Sequence, residues 1–190
     1  MKNCVFTFLL VLLGMLSSEA QINPFPPLDK SPMDMSYYPP NYPVLRIQPQ
    51  KTTEPLVARV IYSRPQKMGR KVFGELVEDG KIWRLGANEA TEIEFFREVK
   101  IGNKKVKKGR YTLYAIENKD RWTLILNTET DIWGAFGYDA AKDVLRIDLP
   151  VLRTPENVEA FTMVFEKAGD RGARLVIAWD DAMVQLPISW

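Results

Sequence analysis

Histidine is missing from all 190 residues, and the one cysteine, Cys4, lies close to the N-terminus. Without imidazole the chain cannot run Ser-His-Asp catalysis or build a histidine zinc site. A lone cysteine cannot close a disulfide within the chain, and one removed with an N-terminal signal leaves no thiol nucleophile. Charge of one sign is also lacking: 26 basic residues stand against 24 acidic ones, a net +2. Such a balance gives no reason to expect nucleic acid or an anionic membrane as partner. No phosphate loop is present, which gives no reason to expect a nucleotide, and no cofactor is expected. No apolar run reaches the ~20 residues that a membrane helix needs, so an integral membrane protein is not expected. Helical spacing is scarce too, and there is no internal repeat.

What is present begins with an export pattern. Lys2 precedes an apolar run from Val5 to Leu16, and Ser18-Glu19-Ala20 places small residues at a cleavage site before Gln21. Residues 1–20 are therefore expected to be a signal peptide, and the mature protein periplasmic or extracellular. Cys4 precedes the apolar run, so lipid anchoring at a cleavage-site cysteine is not expected. Nine of the 13 prolines follow between Gln21 and Pro55. Proline has a fixed φ and no N–H, so residues 21–55 are expected to form a disordered, extended tail. Its Tyr37, Tyr38 and Tyr42 would dock on an envelope partner or back on the domain.

From Leu56 the pattern has period two. Ile93, Phe95, Arg97 and Val99 alternate with Glu92, Glu94, Phe96 and Glu98, and Gly102-Asn103 reads as a reversal. Tyr111, Leu113 and Ala115 oppose Thr112, Tyr114 and Ile116, a strand expected to be covered on both faces. Further strands are predicted at 57–62, 122–126, 144–149, 161–165, 175–179 and 184–188. Residues 56–190, about 135, are enough for one buried core. The expected fold is all-β, an antiparallel sandwich or jelly-roll-like barrel. The basic run Lys104, Lys105, Lys107, Lys108 and Arg110 is expected to be a solvated hairpin protecting a sheet edge.

The segment from Tyr62 to Glu89 is punctuated by Gly69, Gly74, Gly80 and Gly86 and concentrates Arg64, Arg70, Arg84, Asn88 and Glu89. Guanidinium forks suit a carboxylate, a phosphate or sugar hydroxyls, so these five are ligand-binding candidates. The alternative is a brace in which Arg64 or Arg84 pairs with Glu89. Tyr62-Ser63-Arg64-Pro65, Gly69-Arg70, Phe73-Gly74, Leu76-Val77, Trp83-Arg84 and Gly86-Ala87-Asn88-Glu89 resemble words of the bacterial family called domain of unknown function 2911. Gly109-Arg110-Tyr111, Trp122-Thr123, Trp133-Gly134 and Tyr138 extend the resemblance. Glu78-Asp79 stands where the family often has Pro-Tyr, and Ala140 where it often has proline. The resemblance implies an exported β-rich protein and brings no activity with it.

The other conspicuous stretch is Ile132 to Tyr138, with Trp133 and Tyr138 as further ligand-binding candidates. Its aromatic rings are expected to close one end of the barrel, the alternative being exposed faces that stack on sugars. Asp131, Asp139, Asp143 and Asp148 lack the alternation of a calcium loop, so no metal is expected. The reading that results is a non-catalytic domain binding a small polar ligand, a glycan or an envelope partner. Its rivals are a hydrolase using Glu89 as base and a structural role in envelope assembly.

Overall fold

A computed structural model of the protein describes residues 25–48, 50 and 54–190; the expected signal peptide, 1–20, lies outside the described residues. The elements, in order, are β1 (Met33–Tyr38), a short helix α1 (Tyr42–Arg46), β2 (Ala58–Ser63), β3 (Ile82–Trp83) and β4 (Glu92–Phe95). There follow β5 (Val99–Ile101), β6 (Lys104–Val106), β7 (Gly109–Asn118), β8 (Arg121–Asn127), β9 (Asp143–Pro150), β10 (Leu152–Lys167) and β11 (Gly172–Ser189). The larger sheet runs β1-β2-β4-β7-β8-β9 with β3 beside β7; the smaller runs β10-β11-β5-β6. These strands pair antiparallel, and the two sheets form an open sandwich rather than a closed barrel.

Alternation along the strands fills the space between the sheets. Val60, Ile93, Phe95, Leu113, Trp122 and Leu124 of the larger sheet meet Phe161, Met163, Leu175, Ile177 and Val184 of the smaller, each at most 1% exposed. Each such side chain contributes roughly 1.5–3 kcal/mol through removal from water. Strand β7 is covered on its other face as well, as its sequence predicts: Tyr114 and Ile125 pack against Ile132, Ala135 and Tyr138. The Gly102-Asn103 reversal joins β5 to β6, and the lysine-bearing β6 is an edge of the smaller sheet.

Three expectations are corrected. Residues 33–38 of the expected disordered tail are instead an edge strand, registered from Met33↔Ser63 to Tyr38↔Ala58. They lie between Pro32 and Pro39, so every residue of the strand keeps its N–H, and an edge position needs only one paired side. Tyr38 is 2% exposed and packs on Trp190, ring centroids 5.2 Å apart, so it docks back on the domain. Second, the alternating run from Ile93 to Val99 is two strands in different sheets, because the chain crosses over at Phe96–Glu98. Third, the segments expected at 175–179 and 184–188 form one strand, continuous through Asp180 at φ 54°, and the two register shifts that flank Asp180 place their extra residues on β10.

The glycine-rich connection between β2 and β4 is fastened rather than slack. Gly86 lies against Ser63, and a Cβ there would fall 2.7 Å from Ser63 Oγ. That hydroxyl accepts from Ala87 N at 2.6 Å and donates to Ala87 O at 2.5 Å.

Candidate functional site

The connection between β2 and β3 forms one side of a cleft of about 580 Å³. Gly80 N donates to Glu117 O at 2.8 Å, and Gly74 N donates to Val77 O at 2.8 Å, which pins the loop to the end of β7. Lys71, Phe73 and Asp79 come from this loop, Glu117 from β7, Lys119 and Asp120 from the β7–β8 turn. Trp122, Arg153 and Asp181 complete the wall from β8, β10 and β11.

Glu117 is the unusual group. Alternation along β7 puts it on the same inward face as Tyr111, Leu113 and Ala115, and it is 3% exposed. Burial, then a hydrogen bond to Asp79 and that group's negative charge, push its carboxyl up to about 7, with Lys119 opposing. Apart from that carboxyl neighbour, its Oε2 is buried and receives no hydrogen bond from an N–H or hydroxyl of the described residues. Directly opposite Glu117 on β8 and in the same wall, the indole Nε1 of Trp122 is a buried donor without a partner. Buried polar groups of this kind are uncommon because each costs about 1–3 kcal/mol unless something satisfies it. The Trp122 ring is fixed by Phe73 at 5.4 Å and Trp83 at 5.5 Å, so the donor cannot easily turn away. Arg153 and Asp181 pair with each other at the rim.

The residues singled out by sequence do not converge on this cleft. Arg64 is a brace, as one reading had it, but its partner is Asp34 at 3.0 Å rather than Glu89. Its remaining donors reach Phe161 O and Thr162 Oγ1, tying β1, β2 and β10 together. Arg70 folds back on its own loop, donating to Lys67 O and Gln66 O. Asn88, at φ 58°, donates to Asp29 and accepts from Gly134 N at 2.9 Å. Glu89 is exposed, pairs through its backbone with Trp133, and borders a shallow depression of about 180 Å³ beside Glu92 and Asp131. Arg84 is half-buried in a second cleft of about 290 Å³, shared with Leu76, Glu78, Lys81 and Phe136.

The expectation that Trp133 and Phe136 plug the barrel end is overturned: they are 61% and 90% exposed. Ile132, Ala135 and Tyr138 of the same loop supply the packing, leaving the two larger rings outside. Tyr138 stacks edge-on against Tyr114 at 5.3 Å and donates to Asp143 at 2.6 Å. Burial and Asp143 push its phenol up to about 12. Among the described residues no group of three or more acidic or sulfur side chains is placed to hold a metal. No described helix is long and apolar enough to cross a membrane.

No match was found among curated proteins or among solved structures. A family model does match, over residues 47–188, which run from before β2 to Ile188 of β11 and take in every residue that lines the Glu117 cleft. The chain belongs to the family described as protein of unknown function, DUF2911.

Proposed function

We propose that the domain is a non-catalytic binding module for a small hydroxyl-rich ligand of the glycan class, held in the Glu117–Trp122 cleft of an exported protein. The observation that carries the reading is a pair of buried polar groups in one wall, the Trp122 Nε1 donor with no acceptor and Glu117 Oε2, which no N–H or hydroxyl donor of the described residues reaches. A hydroxyl both donates and accepts, so a diol is suited to satisfy the two together. The cleft volume falls within the roughly 300–1,000 Å³ of small-molecule sites. Three cations and four carboxyl groups line it, and with Glu117 protonated the signs balance, which disfavours a ligand of strong net charge. The export part of the reading rests on Lys2, the apolar run and Ser18-Glu19-Ala20.

Thermal-shift and tryptophan-fluorescence titrations with neutral mono- and disaccharides and polyols test it. Binding is expected in the wild type and its loss in Glu117→Ala and Trp122→Phe. A folded wild type that responds to none of the panel rejects the proposal.

A second reading is favoured by one specific observation: a carboxyl group raised to about 7 beside Asp79 is what a general acid requires. It moves the catalytic role from the exposed Glu89 to Glu117. Release of nitrophenol from aryl glycosides, abolished by Glu117→Gln, would support it, and absence of turnover across such substrates would remove it.

A further inference from the structure

We infer that Arg84 forms a separate site for a small carboxylic acid with an apolar body, in the cleft between Leu76–Val77 and Ala135–Phe136. Arg84 is a cation without a counter-charge among the described residues. Arg59, Arg64, Arg110 and Arg146 each pair with a carboxylate. Arg84 forms no ion pair or side-chain hydrogen bond among the described residues, and its Nε is buried with no partner. Burial without such a partner lowers its pKa, though an arginine stays charged. A guanidinium that is partly desolvated and has no counter-charge gains from a planar carboxylate, whose two oxygens match its fork of donors.

The walls define the rest of the ligand. Ile82 and Trp83 of β3 form an apolar side with Val77, and Leu76 is left 40% exposed. Opposite stands Phe136, 90% exposed yet not loose. Its ring lies over Gly134, where a Cβ would come within 2.8 Å of Phe136 Cε2. The loop itself is tied down by Gly134 N donating to Asn88 O. A large ring held in water beside an unpaired cation is the surface signature of a binding site rather than of packing. Glu78 and Lys81 offset each other in the same cleft, and Glu78 opposes a second negative charge on the ligand. A single carboxylate therefore fits better than a phosphate dianion. The volume, about 290 Å³, limits the body to about one ring or a short branched chain.

The test uses the mature chain and measures calorimetric and fluorescence binding of benzoate and 3-phenylpropionate against benzamide and 3-phenylpropionamide, with inorganic phosphate alongside. The acids are expected to bind at least ~10-fold more tightly than their amides and than phosphate. Arg84→Met should erase the acid preference while keeping or raising the melting temperature, since no hydrogen bond or ion pair of the guanidinium among the described residues is lost. Phe136→Ala should weaken the acids, and Glu117→Gln should leave them unchanged, which separates this site from the glycan cleft. Equal binding of acid and amide, no acid binding at millimolar concentration, phosphate binding as tight as the acids, or an acid preference surviving in Arg84→Met would each overturn the inference. Should Arg84→Met fail to fold, the Arg84 Nε–H resonance decides: the acids must shift it and the amides must not.

Discussion

Replacing Glu117 with glutamine should change how the stability of the fold depends on pH. In the folded protein the carboxyl titrates near 7, against an ordinary value of 4.5. Between those values the folded state holds a proton that the unfolded chain has released, so wild-type stability falls as pH rises through this window. Below 4.5 both states are protonated and above 7 both are ionised, so the effect is confined to the interval. A separation of about 2.5 converts to an upper limit of about 3 kcal/mol. For a domain of this size that is as much as ~6–12 °C in melting temperature. Glutamine keeps the shape of the side chain and carries no charge, so the variant should match or trail the wild type at pH 4.5 and exceed it at pH 8. Urea unfolding of both proteins at the two pH values measures the double difference, in which all other titrating groups cancel. Asp79→Asn should shrink that difference, because it removes the neighbouring charge that helps hold the proton on Glu117. A double difference below ~0.5 kcal/mol would refute the argument that this carboxyl is buried and protonated near neutrality.

Two further variants test the assignments made for the segments flanking β2. Tyr38→Ala should cost about 3–5 kcal/mol in urea unfolding, because a 2%-exposed ring on Trp190 and Phe165 is lost; a cost under ~1 kcal/mol would mean that β1 is not part of the cooperative unit. Arg64→Met should cost about 1–2 kcal/mol, chiefly through the bonds to Phe161 O and Thr162, since its pair with Asp34 is partly exposed. Ligand binding in either cleft should survive it, and a folded Arg64→Met protein that loses binding while keeping its stability would show the arginine to be a ligand contact instead.

Much of the fold was legible along the chain because strand formation is local. The alternation of Ile93 and Phe95 with Glu92 and Glu94 dictates one buried face wherever the strand sits, and Gly102-Asn103 supplies the conformations that a tight reversal needs. The same alternation misled from Phe96 onward, since period two is equally satisfied by one strand or by two that switch sheets. Proline counting misled over 33–38 because composition averages over a window, while a six-residue gap between Pro32 and Pro39 is all that an edge strand requires. A signal for the cleft was present and unread: Glu117 continues the inward row of Tyr111, Leu113 and Ala115, a carboxyl where the alternation calls for an apolar side chain.

By itself the sequence determined the chemistry that is excluded, the antiparallel β character and the family, because these depend on which residues occur and on short-range pattern. Only the tertiary structure decided that Arg64 braces, that Arg84 has no counter-charge, and that Trp133 and Phe136 face water. It alone brought Asp79, Glu117, Trp122 and Asp181 to one cleft. The reason is physical. A desolvated charge or an unsatisfied donor is a property of everything packed around it, and those neighbours come from strands far apart along the chain.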